Sequence, residues 1–177
     1  MSTDATLLPL AQASAEDVES LLDAAFGPDR RARTAYRLRA GTRPINEASF
    51  AAIDNRGALI GSIQCWPVSF AGDDGGVTAM ILVGPVAVHP SAQRAGLGRR
   101  LVAAALVAIG AADVAGADAL MLIGDPDYYG RFFGFSAERT GAWRLPGPFE
   151  PHRLLARGTA VPAGPGMVQA RLPALAR

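Results

Sequence analysis

Residues 80–102 read MILVGPVAVHPSAQRAGLGRRLV, and three consecutive signatures within them decide the fold. Met80 to Val88 is an almost unbroken apolar run with several β-branched residues, the pattern of a strand covered on both faces. Pro90-Ser91-Ala92 stops it, because proline cannot donate to the ladder and restricts the residue before it. Gln93-Arg94-Ala95-Gly96-Leu97-Gly98 then opens an Arg- and Ala-rich helix. A strand, a glycine turn and a helix start in that order form a seat for phosphate. The first helical turn carries N–H groups without internal partners, and the aligned peptide dipoles add partial positive charge. Gly96 and Gly98 lack the Cβ atoms that would hold an anion away. A glycine turn that only reverses the chain is the competing reading. A Walker-type loop is excluded, since all 17 basic residues are arginine. A dinucleotide fingerprint also fails, because Gly96-Leu97-Gly98 runs on into Arg99-Arg100-Leu101.

The composition narrows the class. A length of 177 residues suits one domain with a sizeable core. Half the residues are apolar and the net charge is +1, which argues against a general nucleic-acid or membrane-surface binder. Without lysine there is no Schiff-base or lysine-nucleophile chemistry. Cys65 stands alone, so no internal disulfide forms, in keeping with a reducing cytoplasm. His89, His152 and one cysteine are too few for a convincing zinc site, so no metal is expected. The N-terminal stretch lacks a basic start followed by an apolar block, and Leu101 to Ala112 is too short to span a bilayer. A soluble cytoplasmic protein is expected.

Along the chain, Ala5 to Leu10 reads as an edge strand, and Ser14 caps a helix whose Val18, Leu21, Leu22 and Ala25 share a face. Phe26-Gly27-Pro28 ends it. A second helix is expected from Asp29 to about Leu38, with Gly41 as its stop. Arg30, Arg31, Arg33, Arg37 and Arg39 lie on it and Arg43 just beyond, either as an electropositive wall or as a solvated face, the latter favoured. Ser49 to Ile53 and Ala58 to Phe70 read as strands around an Asp54-Asn55-Arg56-Gly57 turn. After Gly72-Asp73-Asp74-Gly75-Gly76, Val77 to Val88 is the third strand of the meander. Cys65 falls mid-sheet and reads as a small buried apolar residue ahead of a nucleophile. Pro85 points to an edge or a bulge. Gly98 to about Ala115 is a long helix with Leu101, Val102, Leu106 and Ile109 in the core, closed by Gly116. Ala119 to Ile123 is a buried strand parallel to Met80–Val88 through a right-handed crossover, which assigns the ligand to the carboxyl ends of the two strands. Asp125-Pro126 starts a short helix carrying Tyr128, Tyr129, Phe132 and Phe133, and Gly134-Phe135 ends it. Trp143 to Leu145 continues a strand begun near Phe135. His152 to Arg157 is a helical turn or short strand, and Met167 to Leu172 a last strand.

Two of these stretches, Gln93-x-x-Gly96-x-Gly98 after Val86-Ala87-Val88-His89-Pro90, and Gly124 to Phe135, carry a resemblance to the GCN5-related N-acetyltransferases (GNAT). The loop resembles the family's acyl-CoA pyrophosphate loop, and the LPGPFEP stretch with its flanks resembles a bacterial branch of poorly defined substrates. The resemblance covers Val77 to Phe135 by motif and the remainder by element order. It implies a single α+β domain over residues 1–177, with a mostly antiparallel sheet of about seven strands, a splayed parallel pair and flanking helices. The cofactor, acetyl-CoA acting as co-substrate, would then lie along Val86, Ala87, Val88, Gln93, Arg94, Ala95, Gly96, Leu97, Gly98, Arg99 and Asp125. A main-chain N–H of Val86 or Ala87 would polarise the thioester carbonyl.

By the same resemblance a tyrosine in the short helix protonates the departing thiolate, which is reasonable chemistry for a positioned phenol. The family slot four residues before the glycine holds Gly130 here. Tyr129 is preferred over Tyr128, with one extra aromatic residue absorbed as a π-bulge. Asp125 stands where many relatives have asparagine, and capping is its favoured role. The acceptor is a small-molecule or peptide amine; no nucleic-acid or membrane partner is expected, and a homodimer is open. Met80-Ile81-Leu82-Val83 offers no carboxylate for a base, which leaves Glu47, Asp73, Asp74 or a water chain, with water favoured. The missing carboxylate keeps open a non-catalytic acyl-CoA-binding sensor or interaction module; the tyrosine speaks against it.

Overall fold

In a computed structural model the described residues are 4–93 and 95–175. In chain order the elements are β1 (Thr6–Pro9), α1 (Ala15–Phe26), α2 (Thr34–Arg37), β2 (Phe50–Ile53), β3 (Leu59–Gly72) and β4 (Val77–Val88). Then follow α3 (Leu97–Ala111), β5 (Leu120–Ile123), α4 (Pro126–Phe133), β6 (Trp143–Arg144), β7 (Leu154–Arg157) and β8 (Gly166–Ala170). The hydrogen-bonded order is β1-β2-β3-β4-β5-β7, with β8 on β3 and β6 on β8. This is the expected α+β GNAT architecture, with eight strands against about seven anticipated.

The chain clusters into two compact units, and β3 and β4 contribute to both. The first unit comprises Met1–Arg31, Pro44–Cys65 and Val83–Ala112. There β1 pairs antiparallel with β2 from Thr6↔Ile53 to Pro9↔Phe50, and β2 pairs antiparallel with the start of β3. The hairpin forms because Asp54 Oδ1 accepts from the N–H groups of Arg56 and Ala58, each at 2.9 Å. Ser14 caps α1 by accepting from Asp17 N–H at 3.1 Å, and Glu16 and Asp17 in the first turn favour the dipole. The buried stripe of α1, Val18, Leu21 and Leu22, packs against Ala87 of β4. Helix α3 turns Leu101, Val102, Ala105 and Ile109 inward. A Cβ at Gly61 would lie 3.0 Å from Leu97 and 3.1 Å from Leu101, so glycine there lets α3 approach the sheet.

The second unit comprises Ala32–Arg43, Trp66–Leu82 and Asp113–Arg177. One parallel pair joins β4 to β5 through Ile81↔Leu120 and Leu82↔Met121, and the two-residue β6 runs parallel to β8. On its other edge β5 pairs antiparallel with β7, from Leu120↔Arg157 to Ile123↔Leu154. The end of β3 pairs antiparallel with β8. The core gathers Trp66, Phe70, Met80, Leu82, Met121, Trp143, Leu154 and Val168.

Several expectations need correction. The single helix over 29–38 is instead a 3-10 turn at Arg30–Ala32 followed by the four-residue α2. Arg30 lies on neither a wall nor a solvated face: it is 1% exposed and ion-paired with Glu19 and Asp23 of α1. Burial pushes the Glu19 carboxyl up, but hydrogen bonds from Arg30 and Arg31 outweigh it and hold Glu19 below its usual range. Helix α3 ends at Ala111, and Gly116 closes a later turn at φ +92. No strand runs on from Phe135 to Trp143: Ser136 makes one bridge to Ala156, and turns follow. No helix among the described residues is long and apolar enough to cross a membrane.

A Cβ at Gly116 would fall 2.8 to 2.9 Å from the backbone of Met80, whereas one at Gly110, inside α3, meets nothing within 4 Å. Gly116→Ala therefore costs about 2–4 kcal/mol in urea unfolding. Gly110→Ala gains about 0.5–1 kcal/mol. Equal effects of the two would contradict the packing of Gly116 on β4.

Candidate active site

The start of α3 is built around a backbone requirement. Gly96 adopts a left-handed conformation (φ +72, ψ 12), and no side chain caps the helix. The first intrahelical bond runs from Arg100 N–H to Gly96 O at 3.1 Å. The N–H groups of Leu97 and Gly98 precede that bond and therefore have no carbonyl partner within the helix. Gly98 is informative for a different reason. A Cβ there would sit 3.7 Å from Val88 Cγ2 and 3.9 Å from Val86 Cγ1, ordinary contact distances. Protein packing therefore does not demand glycine at 98. Gln93, Ala95, Gly96 and Arg99 are exposed and Leu97 is buried as the helix anchor. Arg94 lies outside the described residues.

Beside this helix start runs the end of β4. Ala87 is fully buried against α1, while Val86 and Val88 are half-buried toward α3. The His89 N–H donates to Ile60 O of β3 at 2.8 Å. Main-chain groups alternate in direction along an antiparallel strand, so His89 and Ala87 address β3 while Val88 and Val86 present theirs to the opposite edge. Gly84 precedes them with φ +130 and a cis bond to Pro85, so the irregularity expected at Pro85 falls on Gly84-Pro85.

Helix α4 belongs to the second unit. Asp125 caps it, accepting from Asp127 N–H at 3.0 Å. The helix is α-type along its length, without an internal π-bulge. Its last turn widens instead: Gly134 N–H reaches the carbonyls of Gly130 and Tyr129, and Phe135 N–H donates to Tyr129 O at 3.2 Å. Gly134 takes φ +70 there and ends the helix. The Tyr129 ring folds back on the end of β5, since a Cβ at Gly124 would lie 2.5 Å from Tyr129 Cε2. Tyr128 stacks edge-on to Tyr129 at 5.0 Å. Burial, then the neighbouring Tyr128, pushes the Tyr129 hydroxyl up to about 12, Arg153 opposing and Asp125 adding slightly. Tyr129 accordingly stays protonated at neutral pH.

The carboxylates considered as bases are committed elsewhere or exposed. Hydrogen bonds from Arg144 hold Asp73 below its ordinary range, at 2.6 Å for the shorter contact. Asp74 Oδ1 accepts from Gly76 N–H at 2.8 Å, and Glu47 is exposed on a 3-10 turn. Burial pushes the Cys65 thiol up to about 12 despite a hydrogen bond from the Gly84 backbone, so it is no nucleophile. The arginines downstream of Arg30 are partly internal ties. Arg37 donates to Pro146 O at 2.6 Å, and Arg39 lies over the rings of Tyr36 and Trp66 at 4.1 and 4.2 Å. Two polar groups that the sequence pattern did not single out are buried on β3: Ser62 at 0% and Gln64 at 5% exposure. No His, Cys, Asp and Glu cluster fit for a metal occurs among the described residues.

The sequence was compared with known proteins. The family model described as Acetyltransferase (GNAT) family matches residues 15–135. No curated protein sequence matches. Among solved structures, the chain is similar to an Escherichia coli GNAT family N-acetyltransferase (YhbS) in complex with CoA, at 24% identity and a TM-score of 0.68, over 94% of this chain and 89% of that one. It is also similar to a Brucella melitensis GNAT family acetyltransferase in complex with acetyl-CoA, at 23% identity and a TM-score of 0.59, over 96% and 97% of the two chains. A KacTA–DNA complex shares the fold at 19% identity and a TM-score of 0.51, over 88% and 93%. At these identities the likeness speaks for the fold, and the family assignment rests on the matched 15–135 segment. With its glycine-started α3 and its mixed sheet in place, the chain belongs to the GNAT family of acetyltransferases and is an acyltransferase.

Proposed function

We propose that the chain works as one domain, an N-acetyltransferase that moves an acetyl group from acetyl-CoA to a primary amine by direct attack. The observation that carries this is the bare start of α3 beside the end of β4. Two N–H groups without helical partners, at Leu97 and Gly98, a positive dipole end and a glycine whose Cβ the protein has room for suit a diphosphate. Gln93, Arg94, Ala95, Gly96, Leu97, Gly98 and Arg99 would form that cradle. Val86 and Val88 would offer strand hydrogen bonds to the pantetheine arm. Of the two candidate oxyanion donors, the alternation set by His89 favours Val86 over Ala87.

Tyr129 is the proposed general acid. Its burial keeps the phenol protonated, and the collapse of a tetrahedral intermediate needs a proton at the departing sulfur. Asp125 serves by capping α4, which fixes the helix that carries Tyr129. The attacking amine is neutral, and water removes its proton. Orientation of two bound reactants supplies much of the rate in place of a protein nucleophile. The CoA and acetyl-CoA complexes of the two bacterial relatives support acyl-CoA as co-substrate.

The direct test is free-thiol release from acetyl-CoA across an amine panel. Tyr129→Phe should lower kcat by about 100-fold or more, leaving KM for acetyl-CoA within a few fold. Unchanged kcat would remove Tyr129 from the mechanism. Because the hydroxyl's pKa is raised, its acid form is lost only as pH rises through about 12, so wild-type kcat should show no tyrosine-dependent alkaline fall near 10. Gly98→Val should weaken CoA binding at least tenfold while changing stability by under about 1 kcal/mol. CoA still raising the melting temperature of that variant as in wild type would count against the phosphate seat. Iodoacetamide should leave native activity intact and label Cys65 only after unfolding, whereas rapid labelling with loss of turnover would point to a cysteine mechanism.

A further inference from the structure

Resting on the acetyl-transfer reading above, we propose that Gln64 and Ser62 of β3 hold the water that takes the proton from the attacking amine. The reaction has an unmet need at that point. When the amine nitrogen bonds to the thioester carbon it carries an extra proton, and Met80 to Val83 supply no carboxylate to remove it. Asp73 is bound to Arg144, Asp74 to its own turn, and Glu47 is exposed.

Gln64 Oε1 and Ser62 Oγ are both buried, and neither has a hydrogen-bond partner among the described residues. An unmet buried acceptor costs about 1–3 kcal/mol, and such groups in native proteins are ordinarily satisfied by a bound water. Two residues apart on one strand, the side chains leave the same face about 6–7 Å from each other. One or two waters bridge that span. The opposite face is set by Gly61, which lies under Leu97 and Leu101 of α3, so Ser62 and Gln64 face away from α3.

Their position along the sheet fits the chemistry. The Gly84 backbone hydrogen-bonds the Cys65 thiol, which sets Gln64 next to the Gly84-Pro85 segment of β4. Val86, the proposed oxyanion donor, follows Gly84 by two residues, about 7 Å along a strand. A side-chain amide carrying one water spans that distance. The residue type also suits the place: an amide oxygen accepts a hydrogen bond without ionising, whereas a carboxylate buried there would be driven toward its neutral form.

The step balances. The amine nitrogen forms the N–C bond as the carbonyl π bond opens to the oxyanion, its surplus proton passes to the water held by Gln64 Oε1 and Ser62 Oγ and on to solvent, and the C–S bond breaks as the carbonyl re-forms. Tyr129 gives its proton to the sulfur and is reprotonated from solvent. Gln64 and Ser62 are positioning residues, acting through the water.

The test measures thiol release from acetyl-CoA with hydroxylamine, a small amine that needs no shaped acceptor site, in wild type, Gln64→Met, Gln64→Glu, Ser62→Ala and Tyr129→Phe. Gln64→Met should slow turnover about tenfold to a hundredfold with KM for acetyl-CoA and the CoA-induced thermal shift unchanged. Gln64→Glu, carrying its own base once ionised, should gain on Gln64→Met by at least tenfold as pH rises through the raised pKa of the buried glutamate, the ratio collapsing at lower pH as it protonates. Ser62→Ala should slow turnover by a smaller factor in the same direction, and it tests the water site even if Gln64→Met does not fold. Wild-type rates in Gln64→Met and Ser62→Ala, or a Glu-to-Met ratio that ignores pH, would overturn the water site. Turnover that depends on Tyr129 but not on Gln64 defeats only this inference; turnover that is absent, or indifferent to Tyr129, defeats the acetyl-transfer mechanism as well.

Discussion

One backbone constraint underlies the proposed chemistry: α3 begins without a side-chain cap. Most helices answer their first N–H groups with a Ser, Thr, Asp or Asn side chain, as α1 does with Ser14 and α4 with Asp125. Here a left-handed glycine opens the helix and provides no oxygen, so the donors of the first turn face outward. The strand before it is equally bound. Ala87 is fixed by α1 and the His89 N–H by β3, which leaves the groups of Val86 and Val88 turned to the other edge. A helix end that stabilises negative charge and a strand edge that offers hydrogen bonds arise from the same dozen residues.

The tyrosine helix shows how local rules fix one side chain in place. Asp125 and the widened turn at Gly134 fix both ends of an eight-residue helix too short to be stable alone. Gly124 then admits the Tyr129 ring against β5 at a distance no side chain would allow. The resulting burial keeps the phenol neutral, the form a proton donor needs.

Legibility in the sequence followed the reach of the interactions. The Ser14 and Asp125 caps, the Asp54 turn, β4 and the start of α3 were readable because their causes lie within a few residues of each other. The Arg30 ion pair was not, since Glu19 and Asp23 lie across a turn and a run of arginines gives no sign of which one points inward. The short β6 was misplaced for a similar reason: its partner is β8, more than twenty residues on, and two residues carry no period. Helix α3 stops early because Ala112 takes an extended conformation, and Gly116 is required instead by its contact with Met80. Ser62 and Gln64 sit in a strand whose pattern hides two polar groups among buried neighbours, so only coordinates reveal that their oxygens are unanswered.

The central claim concerns which main-chain amides meet the diphosphate, and amide NMR shifts during a CoA titration report on it residue by residue. The largest shifts should fall on Leu97, Gly98 and Arg99, with a second group at Val86 and Val88, and they should diminish at residues 97–99 when pantetheine lacking the diphosphate replaces CoA. Undisturbed amides at 97–99 under saturating CoA, or shifts concentrated far from β4 and α3, would contradict it.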